Sequence, residues 1–304
     1  LIGTLPKVLT KLPSLNTVEL PFNHMKGDLD IASEFESLNY LFLDNNKFEG
    51  SLPEYFKGPV VSINLGYNKL TGTLPYRYGE SPLFCIVLKS NNLEGTIPVE
   101  WNNLGGLVIL DLSRNNSTGT IPEIFTHKLG TLDLGNNKFY GSLPSSVGSR
   151  TPTSLYFNDN YFSGEIPDQW DELSSIEIVQ LQNNALTGSV EKFLMNKFSI
   201  VSFWISNNYF TDPYPNWRGC YSLSSFKAYN NNYTKPLYPP LYGQVSIDLR
   251  ANPINVTGEI YFIPVDYAYQ IVDNYLCPYL TNDENKTLIL VDPEYYNMKF
   301  CIMR

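Results

Sequence analysis

The sequence predicts an α/β-type solenoid dominated by β structure, in which one short unit is stacked repeatedly along an axis. Three observations carry that expectation. A strand-like spelling of the form LDL recurs along the chain, an asparagine follows each copy at a fixed distance, and a glycine, an aliphatic residue and a proline close most copies. Repeats of this length belong to arrays, and they overrule any element-by-element reading.

The copies are readily aligned. LFLDNNKFEGSLP occupies 41–53, INLGYNKLTGTLP 63–75, IVLKSNNLEGTIP 86–98, LDLSRNNSTGTIP 110–122, LDLGNNKFYGSLP 132–144 and LYFNDNYFSGEIP 155–167. VQLQNNALTGSV at 179–190 follows, and looser copies surround Asn23, Asn208, Asn231 and Asn252. The fixed asparagines are Asn23, Asn46, Asn68, Asn91, Asn115, Asn137, Asn160, Asn184, Asn208, Asn231 and Asn252, at a nearly constant spacing. We number the repeats one to eleven by these asparagines.

The physics of one unit explains its spelling. A strand alternates its faces with period two, so Leu132 and Leu134 point inward while Thr131, Asp133 and Gly135 point outward. Asn137 stands where the chain turns inward after the strand. A buried asparagine offers two donors and an acceptor, and it can satisfy backbone groups freed by the turn in its own repeat and in its neighbour. Asn46, Asn68, Asn91, Asn115, Asn137, Asn160, Asn184 and Asn208 are therefore read as a structural ladder, and Asn136 as exposed. Parallel strands stack about 4.8 Å apart, so eleven copies make a sheet on the order of 50 Å long.

The second half of each unit carries Gly50, Leu52 and Pro53; Gly72, Leu74 and Pro75; Gly95, Ile97 and Pro98; Gly119, Ile121 and Pro122; Gly141, Leu143 and Pro144; and Gly164, Ile166 and Pro167. This spelling resembles the plant-type leucine-rich repeat, LxxLxLxxNxLxGxIP, over roughly residues 1–260. The resemblance implies a right-handed superhelix with a concave parallel sheet, a second short strand in each repeat and 3₁₀ turns on the convex side. It also implies similarity to receptor-like protein ectodomains and to polygalacturonase-inhibitor-type proteins. Proline suits the end of a short strand, because it halts sheet pairing and sets φ for the turn. Trp101 and Trp170, each three residues past such a proline, are expected to plug the convex-side core.

The ends depart from the pattern. Gly3, Leu5 and Pro6 stand in the register of a second half-unit, so part of a repeat is expected before Leu1. The pattern dissolves after Ile260, and residues 261–304 read as a small C-terminal cap beyond a solenoid over 1–260. A disulfide between Cys277 and Cys301 would staple a cap with little core of its own. Cys220 falls at an inward position and reads as a buried thiol, whereas Cys85 projects from the strand face. Asn-x-Ser/Thr acceptors occur at Asn115, Asn116, Asn232, Asn255 and Asn285. Asn115 is discounted as a ladder residue. At Asn116 the unit has Ser117 where the consensus has leucine, and this reads as a core apolar residue traded for a hydroxyl that completes the acceptor motif. Asn116, Asn232, Asn255 and Asn285 remain as glycosylation candidates, and they favour an extracellular or cell-surface protein of the secretory pathway.

Composition excludes several classes. The formal net charge of −9 and the absence of any Lys or Arg run argue against nucleic acid and against an anionic membrane surface. No window is long and apolar enough to insert in a bilayer. The two histidines, His24 and His127, stand far apart along the chain, and no HExxH, GxSxG, P-loop or dinucleotide fingerprint is present. No enzyme, cofactor or metal site is expected. Asp111 and Asp133 occupy equivalent strand positions in adjacent repeats; they could hold a cation or work as paired acids, but read better as a solvated acidic patch on a binding surface.

Binding is expected on the outward strand positions. Four residues before each asparagine stand Glu19, Phe42, Asn64, Val87, Asp111, Asp133, Tyr156, Gln180, Trp204, Lys227 and Asp248. Two residues before it, Asp44, Gln182, Tyr229 and Arg250 flank that column. Phe42, Tyr156 and Trp204 are expected to be exposed there, and aromatic side chains exposed beside polar groups are typical of binding hot spots. The candidate ligand surface therefore comprises Phe42, Asp111, Asp133, Tyr156, Gln180, Trp204, Lys227 and Tyr229, centred on repeats seven to ten. Its ligand would be a protein, peptide or glycan. The alternative is a structural component of an extracellular coat, wall or appendage, contacting other subunits of an assembly through its edges.

Overall fold

The computed structural model describes residues 1–123, 129–149, 151–195, 197–213, 219–235 and 246–253. The expectations for His127, for Asn255 and Asn285, and for the cap over 261–304 with Cys277 and Cys301 lie outside the described residues.

Each repeat begins with a three-residue strand, and in repeats one to ten its middle residue enters the core. The strands are Thr17–Glu19, Tyr40–Phe42, Ser62–Asn64, Cys85–Val87, Ile109–Asp111, Thr131–Asp133, Ser154–Tyr156, Ile178–Gln180, Ser202–Trp204, Ser225–Lys227 and Ser246–Asp248. They form one eleven-stranded parallel sheet in chain order. Pairing keeps like positions opposite one another, as in Leu110↔Leu132 and Leu132↔Leu155. A parallel sheet in strict register stacks inward side chains on their counterparts. Leu132, Leu134, Leu155, Phe157, Val179 and Leu181 are accordingly fully buried.

The turn after the strand has two fixed features. The residue immediately before each repeat asparagine is left-handed, with φ between 52° and 60° from Phe22 to Ala251. The asparagine then ties repeats together. Asn137 Nδ2 donates to the carbonyls of Leu112 (2.9 Å) and Leu134 (3.2 Å), and its Oδ1 accepts from the amide of Ser117 (3.0 Å). All eight asparagines of the expected ladder repeat the donation to the preceding repeat, at 2.8–3.1 Å. Without those bonds several buried backbone groups per repeat would be unpaired, at about 1–3 kcal/mol each.

The second half-units also form strands, but in two separate sheets. A four-stranded sheet serves the N-terminal repeats and a six-stranded one the rest. Ile2–Gly3 pairs with His24–Gly27 in the first, which puts the opening residues in the expected half-unit register. Among the described residues the two sheets meet at a single bridge, Thr73↔Glu94, where the strand Glu94–Gly95 is only two residues long. The closing glycines all have positive φ, for example 85° at Gly141. That conformation explains the glycine without any ligand.

Five-residue 3₁₀ turns then follow the prolines, as at Tyr76–Glu80, Val99–Asn103 and Asp168–Glu172. Trp101 and Trp170 fill the convex core as expected and reach back one repeat, their indole N–H groups donating to the carbonyls of Pro75 (2.9 Å) and Pro144 (3.0 Å). Where Glu191 stands in place of the proline, the short α-helix Glu191–Leu194 forms instead. Beyond it Lys197 is buried, with Nζ donating to the Asp171 carbonyl at 2.7 Å and lying 5.2 Å from the Phe193 ring centre.

Candidate ligand-binding face

Strict register turns the outward strand positions into straight columns. Asp111, Asp133, Tyr156, Gln180, Trp204 and Lys227 are successive partners across six neighbouring strands. Tyr229 lies two residues beyond Lys227 in the same repeat. Phe42 shares the column but not the neighbourhood: Asn64 and Val87 separate it from Asp111, and its ring instead meets Tyr40 with centroids 6.1 Å apart. The structure thus assembles seven of the eight expected surface residues and leaves Phe42 apart.

The expectation of freely exposed aromatics needs correcting. Phe42, Tyr156 and Trp204 are half-buried, and Trp204 is covered from the adjacent strand. Lys227 Nζ sits 3.7 Å from the Trp204 ring centre, while the indole N–H donates to Ser225 Oγ at 3.0 Å. In the next repeat the Arg250 guanidinium lies 5.6 Å from the Tyr229 ring centre and grips Asp248 through two bonds of 2.8 and 2.6 Å. The aromatics that do stand free are elsewhere. Tyr140, Tyr161 and Tyr209 are 52%, 65% and 55% exposed on the second strands.

The acidic pair is placed side by side, as expected. Asp111 Oδ1 accepts from the amide (3.0 Å) and hydroxyl (2.6 Å) of Ser113, and Asp133 Oδ1 accepts from the Gly135 amide (3.0 Å). Lys89 Nζ comes within 3.7 Å of Asp111 Oδ2. Burial, with the neighbouring Asp111 charge second, pushes the Asp133 carboxyl up to about 6.

One row escaped the sequence reading. In the left-handed position before each repeat asparagine, Asn230 Nδ2 donates to Asn207 Oδ1 (2.9 Å), Asn207 to Asn183 Oδ1 (2.5 Å), and Asn183 to Asp159 Oδ1 (2.6 Å). This is a second, outer ladder along the rim of repeats seven to ten. Its trace in the sequence is the run of Asn and Asp at that position, since these residues tolerate left-handed backbone better than other side chains. Asn136 belongs to the same row and is exposed, as expected.

The remaining expected sites divide. Asn116 and Asn232 are exposed, each one residue past a ladder asparagine. Asn115 is held by the Leu88 carbonyl and the Leu93 amide, which agrees with discounting it as an acceptor. Ser117 is buried and its hydroxyl has no partner. The hydroxyl two residues after Asn116 is that of Thr118, whose Oγ1 donates to the Lys138 carbonyl at 3.2 Å. Cys220 is a buried free thiol, as expected, pushed up to about 11 by burial. Cys85 is free and stands on the outward side of its strand, as expected, but is half-buried rather than exposed, and burial raises its thiol too.

The Leucine Rich Repeat family model matches residues 37–58, 106–127 and 128–149. Receptor-like protein 35 of Arabidopsis thaliana is 34% identical over 264 residues, which cover 81% of this chain and 25% of that protein. Receptor-like protein 31 of the same plant is 32% identical over 213 residues, 68% of this chain and 25% of that protein. The chain therefore spans about a quarter of the length of the curated relatives it matches. Among solved structures, the Arabidopsis receptor kinase HAESA in complex with the peptide hormone IDA and the co-receptor SERK1 is similar, with a TM-score of 0.75 and 28% identity, covering 83% of this chain and 44% of that one. With the unbroken sheet and the asparagine ladder, these matches place the chain in the leucine-rich repeat family, in its plant type, similar to receptor-like proteins.

Proposed function

We propose that this chain is an extracellular recognition module, receptor-like or secreted, that takes a peptide or protein ligand on its concave face over repeats seven to ten. The observation that carries this reading is the continuous column Tyr156, Gln180, Trp204 and Lys227, with Tyr229 beside it. Such a surface offers rigid aromatic area next to amide and charged groups, with side chains already held in place before a ligand arrives. Similarity to receptor-like proteins, and to a receptor kinase solved with a peptide hormone, supports an extracellular or cell-surface setting and a peptide or protein partner. A glycan is the other ligand class that aromatic and amide side chains would suit.

The same reading takes Asn116, Asn232, Asn255 and Asn285 as N-glycosylated, and residues 261–304 as a cap closed by Cys277 and Cys301. The scaffold alternative draws on one observation, the exposed Tyr140, Tyr161 and Tyr209 on the second-strand side. Panning a random dodecamer peptide library on the glycosylated full chain tests the concave reading. Binding of the enriched peptides should be lost when Trp204→Ala and Tyr156→Ala are combined in a folded chain. Unchanged binding by that double variant rules the concave face out. Glycopeptide mass spectrometry that finds no sugar at any of the four asparagines removes the secretory reading.

A further inference from the structure

We infer that Gln182 and Ser206 form a backbone-reading subsite, taking the N–H and C=O of one residue of an extended peptide laid across the concave face. This rests on the concave-face reading above and names how that surface would hold its ligand. Two buried atoms carry it. Ser206 is 1% exposed and its Oγ has no hydrogen-bond partner; Gln182 Oε1 is likewise buried and unpartnered. Among the described residues, these are the two such atoms on the column two residues before the ladder asparagines. They belong to adjacent repeats, whose strands stack about 4.8 Å apart.

The orphaning has a traceable cause. Ser113, at the position equivalent to Ser206, donates to Asp111 at 2.6 Å. In repeat nine the residue in Asp111's place is Trp204, whose own N–H goes to Ser225, so the Ser206 hydroxyl is left without an acceptor. Gln182 spends its Nε2 on a long 3.3 Å contact with Gln180 Oε1 and leaves its carbonyl idle. Native proteins keep few buried polar atoms unpaired, and each one asks for an explanation.

The unmet chemistry is neutral. Both cations nearby are engaged, Lys227 on the Trp204 ring and Arg250 on Asp248. What is missing is a donor for Gln182 Oε1 and a partner for the Ser206 hydroxyl. The N–H and C=O of one extended residue point to the same side of its backbone and would meet both atoms, as in a ladder pair between strands. Because both atoms are covered in the free chain, the ligand must first turn Gln182 away from Gln180. The length of that contact, 3.3 Å, makes it weak and the movement inexpensive.

The test uses the full chain and the library peptides selected above, with affinity from calorimetry and Tm from thermal unfolding. Ser206→Ala should weaken binding about tenfold, yet raise Tm by about 2–4 °C, because it deletes an unpaired buried hydroxyl. Gln182→Leu should weaken binding similarly. Methylating one backbone nitrogen of the peptide should cost a like factor against the parent chain and nothing further against Gln182→Leu. A fall in Tm for Ser206→Ala, as an ordered water satisfying both atoms would cause, overturns the inference. So does Ser206-dependent binding of cellohexaose in place of peptide. If peptide binding needs Trp204 but is indifferent to Ser206 and Gln182, the subsite fails and the concave reading stands. If no selected peptide depends on Trp204 or Tyr156, both fall together.

Discussion

Two rows run the length of this solenoid four residues apart, and they obey opposite rules. The ladder position holds asparagine in all eleven repeats, whereas the concave position before it changes from Glu19 through Phe42 and Val87 to Trp204 and Lys227. Uniformity follows from demand: every turn frees the same carbonyls and amide, and asparagine meets them within one side chain. Variety follows from the lack of such demand, because strand alternation points the concave residue away from the core. Between them lies the left-handed row, constrained only in backbone. It favours Asn and Asp but admits Phe22, Tyr67, Arg114 and Ala251.

Breaking the uniform row should have the largest effect. Asn137→Leu leaves the Ser117 amide unpaired, strips one of the two ladder donors from the Leu112 and Leu134 carbonyls, which Asn115 and Asn160 still serve, and forces a branched apolar side chain into a tight space. It should destabilise the array by on the order of 2–4 kcal/mol. Denaturant unfolding, together with hydrogen exchange localised to repeats five and six, would show it; a loss below about 1 kcal/mol would mean the ladder is not what holds the turns. Asp133 tests the variable row. Its carboxyl is pushed up to about 6 in the folded chain, against about 3.9 unfolded. The native state therefore holds a proton that the unfolded state has released between those values. Stability falls as pH rises through that window, and the deficit is fully present above it. Asp133→Asn should raise stability at pH 7 by roughly 1–2 kcal/mol and by nothing below about pH 4; a gain that persists at acid pH would refute the titration.

The left-handed row sharpens the contrast. Asn207→Ala loses two rim hydrogen bonds and also strains the left-handed backbone. The combined cost should be about 1–2 kcal/mol, read by denaturant unfolding. Asn207→Gly relieves the strain and should recover most of that loss, leaving only the exposed bonds. Smallest of all, Asn136→Gly should change Tm by no more than about 2 °C. Equal losses for the alanine and glycine variants at 207 would show that the rim bonds, and not the dihedral, set this row.

The array itself was legible because one recurring asparagine and the Gly, Leu and Pro after it dictate turn, strand and stop. Trp101 and Trp170 followed from their offset to proline. What escaped were properties set between repeats. Trp204 reads as an exposed aromatic until Lys227 from the next strand lies on it. Ser206 looks ordinary until its neighbour Trp204 leaves it without the aspartate that serves Ser113. Asp133 looks solvated until the cover over its strand raises its proton affinity. The division of the second strands into two sheets at Thr73 and Glu94 likewise has no mark in a spelling that continues undisturbed through that point. A repeat states its own backbone needs, whereas side-chain burial is decided by residues one full repeat away.

The reach of each ladder asparagine also sets how the molecule would answer to force. Asn137 bonds to its own turn and to the repeat before it, and the same holds along the row. Among the described residues the ladder fastens only neighbouring repeats, so an array pulled along its axis yields one coil at a time. Each coil would release roughly 75 Å of extended chain, and a tether built this way lengthens by a ratchet of near-equal steps instead of failing at once.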